Sequence, residues 1–200
     1  MPNFISNYVE IKGAEDKLKQ LVKDTKFKLN NIENKFDFNA IIPMPEELEN
    51  TISPVQLVAT DEEALQKNAE HYQRMDKIGR KDYENCIAYI TEAESRRRMA
   101  EYGADEWYHW SVANWGTKWN ANDVEYIKHE YAGEDSKIVL SFLTAWSAPE
   151  PIYAKLEEMG FKVSVLWHDE NPENYGSYGE DAYTAFSRNW TIQYEGDNNG

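Results

Sequence analysis

Tryptophan is concentrated in one part of this 200-residue chain, where it could form an aromatic binding surface. Five of the seven tryptophans are Trp107, Trp110, Trp115, Trp119 and Trp146. Trp115 and Trp119 bracket Gly116 and Lys118, so two indoles and a cation lie close together in the sequence. An indole face can stack on a nucleobase or on an arginine of a partner, while a lysine adds positive charge. The alternative is core packing, since tryptophan is mostly buried in folded proteins.

A ligand site in this region would need polar groups beside the rings. Asn114, Lys118 and Ser147 are the candidates that the sequence offers. Together with the neighbouring indoles they would form an apolar pocket with a few polar groups, the usual composition of a small-molecule site.

Sequence motifs for catalysis and cofactor binding are absent. The chain has no Gly-x-Ser-x-Gly, no phosphate loop, no Gly-x-Gly-x-x-Gly and no Cys-x-x-Cys. The single cysteine, Cys86, shares a predicted apolar helical stripe with Ile87 and Ile90, which favours a buried hydrophobe over a nucleophile. No two histidines are spaced i, i+4, and the adjacent His168 and Asp169 would point to opposite faces of a strand. We therefore expect no catalytic residue, no metal and no cofactor, and the sequence favours a binding role over enzymatic activity.

Charge narrows the class of partner. The chain has 21 basic and 36 acidic side chains, a net charge of −15, and residues 101–200 contribute 6 − 18 = −12. Direct contact with nucleic acid is disfavoured, because binding to phosphates depends on clustered lysine and arginine. A negative surface attracts basic partners instead, and Glu173, Glu180 and Asp181 are candidate contact residues. The alternative is an acidic surface that only interacts with solvent.

The hydrophobic pattern predicts the elements that would position these groups. Residues 3–12 alternate as a strand, and the apolar positions after Ala14 recur at helical spacing. Residues 36–42 are predicted to form a second strand that stops at Pro43 and Pro45. The segment 54–104 is polar and rich in helix formers, which predicts a helical insertion.

The pattern returns to strands after residue 104. Strands are predicted near residues 124–129 and 138–143, a helix between Pro149 and Gly160, and a strand over 161–167. Two β-α-β units predict an α+β, ferredoxin-like split βαβ fold, with an antiparallel sheet and two helices on one face. We expect a strand or hairpin within 175–194 and a frayed tail over 195–200. The residues predicted to be buried are Leu18, Leu21, Val22, Ile41, Val139, Phe142, Ile152, Leu156, Val163 and Val165.

Four stretches of the sequence resemble a known family. They are Met-Pro-Asn at 1–3 with Ser-Asn at 6–7, Phe-Asn-Ala-Ile-Ile-Pro-Met-Pro-Glu-Glu-Leu at 38–48, Asn-Trp-Gly-Thr-Lys-Trp-Asn at 114–120, and Phe-Leu-Thr-Ala-Trp-Ser-Ala-Pro at 142–149. In this order and spacing they resemble the YubB ferredoxin-like domain family, uncharacterised proteins of phages, plasmids and bacterial genomes. The resemblance covers nearly the whole chain. It implies the fold and a mobile-element origin, and it implies no activity.

The chain departs from the family pattern at three positions. Phe4 and Ile5 stand where tryptophan and cysteine are common, and Ala148 stands where proline is common. The first two departures argue against any role that needs a cysteine near the N-terminus.

Two classes of function follow from the sequence. The first is a phage- or plasmid-encoded interaction protein that binds and inhibits a host factor, such as a defence nuclease, through its acidic surface. Its partner would be a host protein with a basic surface. The second is a small-ligand or nucleotide-binding module that uses the region from Trp115 to Trp146. No apolar run approaches the roughly 20 residues of a membrane span and no leader is evident, so we expect no membrane partner and a location in the bacterial cytoplasm.

Overall fold

The computed structural model describes residues 3–29, 32–34, 36–80, 85–171, 174–179 and 182. The chain divides into two compact units. The sheet unit comprises Met1–Pro43 and Trp115–Gly200, and the middle unit comprises Met44–Asn114. The predicted tail, residues 195–200, lies outside the described residues, as does most of the predicted terminal hairpin.

The sheet unit contains a five-stranded antiparallel sheet, so the protein is of the α+β class. Its strands are β1 (Phe4–Gly13), β6 (Asn122–Glu130), β7 (Ser136–Ala145), β8 (Lys162–His168) and β9 (Tyr175–Tyr178), in the spatial order β6-β7-β1-β8-β9. Val9 at the centre of β1 pairs with Leu140 on one side and Val165 on the other. All three side chains are fully buried, because alternate residues of each strand face the core.

Two helices supply the other side of this core. They are α1 (Glu15–Asp24), which buries Leu18, Leu21 and Val22, and α6 (Glu150–Glu158), which buries Ile152, Tyr153 and Leu156. Acidic residues in the first turn of α1 interact favourably with the helix dipole. All ten residues predicted to be buried are buried, which confirms the predicted core.

The predicted strand over residues 36–42 is wrong. A short hairpin of β2 (Phe27–Leu29) and β3 (Ile32–Asn34) comes first, and Phe38–Ala40 then form one turn of 3-10 helix. The N–H of Phe38 donates to Asn120 Oδ1 at 2.8 Å, and the N–H of Asn39 donates to Asp37 Oδ1 at 2.9 Å. These side-chain acceptors bind N–H groups that a strand would offer to its neighbour, so the apolar residues are buried without a sheet.

The middle unit combines helices with a parallel pair of strands. Its elements are α2 (Glu46–Glu49), β4 (Thr51–Val58), α3 (Asp61–Lys77), β5 (Ile87–Thr91), α4 (Glu92–Tyr102) and α5 (Trp107–Trp115), the last of which ends one residue beyond the unit. Thr60 and Thr91 cap α3 and α4 through their hydroxyl oxygens. The predicted insertion 54–104 falls within this unit, but the predicted helical stripe through Ile87 and Ile90 is strand β5.

Across the described residues, no helix has both the length and the apolar composition needed to cross a membrane.

Candidate functional site

A cavity of about 350 Å³ opens at one end of the sheet. Its wall comes from the first strand, the turn after β7, the start of α6 and the segment around β8 and β9. The lining residues are Ile5, Gly116, Trp146, Ser147, Ala148, Glu150, Pro151, Trp167 and Asn174. All of them belong to the sheet unit. Two indoles, a carboxylate and small polar groups therefore face one space, which is the composition of a small-molecule site.

Trp146 has an unusual backbone for a large side chain. Its φ is +72°, in the left-handed region that costs a non-glycine residue about 1–2 kcal/mol. Its N–H donates to the Asn3 carbonyl at 2.9 Å, and its side chain is 48% exposed. The fold thus holds a tryptophan in a strained conformation and leaves its ring half open to solvent. Strain of this kind persists where the surroundings over-determine it, typically at functional sites.

Hydrogen bonds from two buried threonines hold this turn. Thr144 Oγ1 donates to the Ser147 carbonyl at 2.8 Å, which closes the turn around Trp146. Thr117 Oγ1 donates to the Ala145 carbonyl at 2.9 Å and accepts from the Ala145 N–H at 3.2 Å. Both threonines are about 1% exposed. The turn is therefore fixed from both sides of Trp146.

The neighbouring loop needs glycine at position 116. Gly116 has a φ of +77°, and a Cβ at this position would lie 2.7 Å from Pro151 Cδ. Its carbonyl accepts a hydrogen bond from Ser147 Oγ. The absence of a side chain thus lets the loop approach the start of α6 and close one side of the cavity.

A buried chain of hydrogen bonds connects the turn to the core. Tyr153 Oη donates to Asn7 Oδ1 at 2.8 Å, and Asn7 Nδ2 donates to Thr144 Oγ1 at 2.9 Å. Tyr153 and Asn7 are both fully buried. Burial, with a smaller contribution from the negative charge of Glu150, raises the pKa of Tyr153 well above its usual value, so the phenol keeps its proton. The chain ties α6, β1 and β7 together beneath Trp146.

Lys118 lies against two exposed indoles. Its Nζ is 4.8 Å from the centre of the Trp119 ring and 4.9 Å from that of Trp146. The Trp119 side chain is 41% exposed. Cation–π attraction therefore holds these three predicted residues together.

The remaining predicted residues lie elsewhere. Trp115 is buried, and its Nε1 donates to the Ile42 carbonyl at 2.8 Å, so its role is packing. Asn114 belongs to the middle unit, where its Nδ2 donates to the Trp110 carbonyl at 2.9 Å. The acidic candidates Glu173, Glu180 and Asp181 lie outside the described residues.

Sequence reasoning did not assign several residues of the cavity wall to a site: Ile5, Ala148, Glu150, Pro151, Trp167 and Asn174. Trp167 pairs with Asn7 across the sheet, so its position in the alternating strand places it on the core-facing side. That alternation was a signal that could have identified it. Glu150 and Pro151 gave no such signal, because their place in the wall depends on the approach of the Gly116 loop.

A cluster of potential metal ligands lies in the middle unit, away from the cavity residues in the sequence. Ligand atoms of Asp105, Glu106 and His109 lie within 4.8 Å of one another. However, the two carboxylate oxygens of buried Glu106 accept the backbone N–H groups of Tyr108 and His109, both at 2.9 Å. These bonds cap the start of α5. The cluster is explained by this capping role.

No family model, curated protein or solved structure matched the chain. The predicted membership of the YubB ferredoxin-like domain family therefore stays a prediction.

Proposed function

We propose that the protein binds a small planar ligand in the cavity beside Trp146. The observation that carries this proposal is the half-exposed indole held at a φ of +72° on the cavity wall. Packing alone does not account for a strained tryptophan whose ring is exposed, whereas a stacking platform does.

The surroundings suit a binding site that is formed before the ligand arrives. The threonine hydrogen bonds and the Tyr153–Asn7 chain fix the turn, so little conformational freedom is lost on binding. The cavity volume of about 350 Å³ is at the lower end of the range for small-molecule pockets. It matches a ligand of one or two rings.

The groups on the cavity wall favour binding over catalysis. Ser147 Oγ donates its hydrogen to the Gly116 carbonyl, which is not a base and does not activate the hydroxyl as a nucleophile. Glu150 is exposed, and no third side chain among the lining residues orients Ser147 and Glu150 as a catalytic pair.

We also propose the split ferredoxin-like arrangement for the sheet unit. It is supported by the chain order β1-α1-β6-β7-α6-β8 and by the spatial order β6-β7-β1-β8 with antiparallel neighbours. In this arrangement β9 extends one edge, and the middle unit is inserted between α1 and β6. The resemblance to the YubB ferredoxin-like domain family implies the same arrangement.

A second candidate function rests on charge. The net charge of −12 over residues 101–200 supports an interaction with a basic host protein. If the protein comes from a mobile element, as the family resemblance implies, this interaction would inhibit a host factor. Triple reversal of Glu173, Glu180 and Asp181 to lysine should then weaken recovery of the partner from bacterial lysate at low salt. Equal recovery by the triple variant would contradict this candidate.

Replacement of Trp146 tests the ligand site. Trp146→Asn removes the indole and places there a residue that adopts positive φ readily, so the free energy of unfolding should be unchanged or rise by about 1 kcal/mol. Binding of planar fragments such as benzamide, followed through the indole N–H signals in NMR spectra, should be lost. Trp119→Ala is the matched control, because it removes the other indole beside Lys118 and leaves the cavity wall intact. Fragments that bind Trp146→Asn as well as the parent protein would refute the proposal.

A further inference from the structure

The start of α6 contributes to the cavity wall, and a helix start usually offers free N–H groups to an anion. The N-cap and the first three positions of α6, residues 149–152, offer no free N–H group. Pro149 and Pro151 have no N–H, the N–H of Glu150 donates to the Ala148 carbonyl at 3.0 Å, and that of Ile152 donates to the Pro149 carbonyl at 3.0 Å. The helix start therefore lacks the donors that would hold a phosphate or a carboxylate.

The side-chain donors of the wall are neutral groups, among them the Trp167 Nε1–H, which is buried without a hydrogen-bond partner among the described residues, and the amide of Asn174. Ser147 Oγ has donated its hydrogen to the Gly116 carbonyl and can only accept a further bond. Asn174 Nδ2 donates to Asp169 Oδ2 at 2.6 Å. Glu150 is the one acidic or basic residue among those that line the wall.

The negative charge of Glu150 acts on neighbouring groups. It adds to the burial that raises the pKa of Tyr153. It also contributes, after burial and the Glu157 carboxylate, to the rise in the pKa of Tyr178 to about 12. Glu150 therefore acts on both phenols, although on Tyr178 it acts after burial and after Glu157, which lies near the other end of α6.

We propose that the cavity selects a planar cation, an amidinium or a guanidinium, which stacks on Trp146 while Glu150 neutralises its charge. This inference rests on the proposed function and specifies its ligand. An indole face attracts cations, and a planar nitrogen cation can donate in-plane hydrogen bonds to a carboxylate while it stacks. A nucleotide is disfavoured, since its phosphates would meet the Glu150 carboxylate and a helix start that has no free N–H groups.

Lys118 modulates this selection. Its ammonium group already lies 4.9 Å from the Trp146 ring centre, although Lys118 does not line the cavity. A second cation on that indole is weakly repelled through solvent. Lys118→Met should therefore tighten binding of a planar cation a few-fold and leave a neutral ligand unaffected.

An isosteric series on the full chain tests the charge preference. The probes are benzamidinium, benzamide and benzoate, which share one ring and differ in charge. Benzamidinium should bind about tenfold more tightly than benzamide at about 20 mM salt, and benzoate should bind most weakly. Glu150→Gln should remove the advantage of the cation and leave the benzamide affinity unchanged. Glu158→Gln is the matched control, because it changes the same charge on the same helix outside the cavity wall.

The outcomes separate this inference from the function on which it rests. If benzoate binds best, or if Glu150→Gln and Glu158→Gln behave alike, the charge selection is wrong, while Trp146-dependent binding of benzamide still supports the ligand site. If none of the three probes binds at Trp146, both proposals fail. A second arm compares methylguanidinium with Nα-acetyl-arginine methylamide. Tighter binding of the latter identifies an arginine of a partner protein as the source of the cation, and equal binding identifies a free small molecule.

Discussion

The two units of this protein use different interactions around their central elements. In the sheet unit, Val9, Leu140 and Val165 are fully buried across three strands, and buried Tyr153, Asn7 and Thr144 form a chain of neutral hydrogen bonds. In the middle unit, side chains of α4 form a network of ion pairs: Glu94 pairs with Arg97 at 2.8 Å and with Arg98 at 2.7 Å. Apolar burial depends little on pH, whereas paired carboxylates lose their partners on protonation. The comparison indicates that acid should weaken the middle unit first.

The largest effect is expected from a core substitution in the sheet unit. Leu156→Ala deletes a fully buried side chain of α6 and should lower the free energy of unfolding by about 2–5 kcal/mol. Leu65→Ala on α3 of the middle unit is the control, because Leu65 is 73% exposed, and it should change stability by less than about 0.5 kcal/mol. Denaturant unfolding of both variants gives the measurement. Equal stability of the two variants would mean that α6 does not pack on the sheet as described.

The core of the sheet unit could be predicted from the sequence because burial follows periodicity. Leu18 and Leu21 on α1 and Leu156 on α6 recur at helical spacing and are buried as predicted. Periodicity failed at Phe38, where apolar residues are buried in a 3-10 turn. It failed again at Ile87, where an apolar segment compatible with one face of a helix is a strand. Both failures arise because short apolar runs do not specify the hydrogen-bond partners of their backbone.

The candidate site could be predicted only in part. Lys118 was predicted from its short spacing to Trp119 and Trp146 from its residue type alone, and the two residues lie together in the structure. The alternation in β8 could have placed Trp167 on the core-facing side, whereas Glu150 gave no signal and joins the wall only through the approach of a helix start. The positive φ of Trp146 gave no sequence signal at all, since it follows from the buried hydrogen bonds around the turn. Residue type identified the platform, and tertiary structure supplied the cavity.

A smaller effect is expected from acid on the middle unit. Arg97 and Arg98, through hydrogen bonds and charge, lower the pKa of Glu94 from 4.5 to about 2. Because the folded state favours the ionised carboxylate, this stabilisation is complete above about pH 4.5 and is lost as the pH falls through 2. Glu94→Gln should remove it, at a cost of about 1 kcal/mol at neutral pH once solvent screening is included.

The measurement is the free energy of unfolding of the parent protein and of Glu94→Gln between neutral and strongly acidic pH. The two curves should converge as the pH falls. Glu92→Gln is the matched control, since Glu92 is more exposed and pairs only with Arg96 among the ion pairs of the described residues. A constant offset between the parent and Glu94→Gln at all pH values would contradict the titration of Glu94 as the cause.

The smallest effect is expected in the sheet unit at alkaline pH. Tyr178 Oη donates to Glu157 Oε2 at 2.8 Å, and burial together with this carboxylate raises the pKa of Tyr178 from 10 to about 12. The folded state therefore favours the neutral phenol, so this contribution to stability is complete below pH 10 and is lost as the pH rises through 12. Tyr178→Phe should lower stability at neutral pH by a few tenths of a kcal/mol, because the phenol is partly exposed, and should flatten the alkaline decline. The near-ultraviolet absorbance of tyrosinate, followed during a pH titration, should lose one late-titrating group in Tyr178→Phe. If the amplitude lost in Tyr178→Phe lies near pH 10 instead, Tyr178 ionises like an exposed phenol, which would contradict the effect of burial and of the Glu157 carboxylate on its pKa.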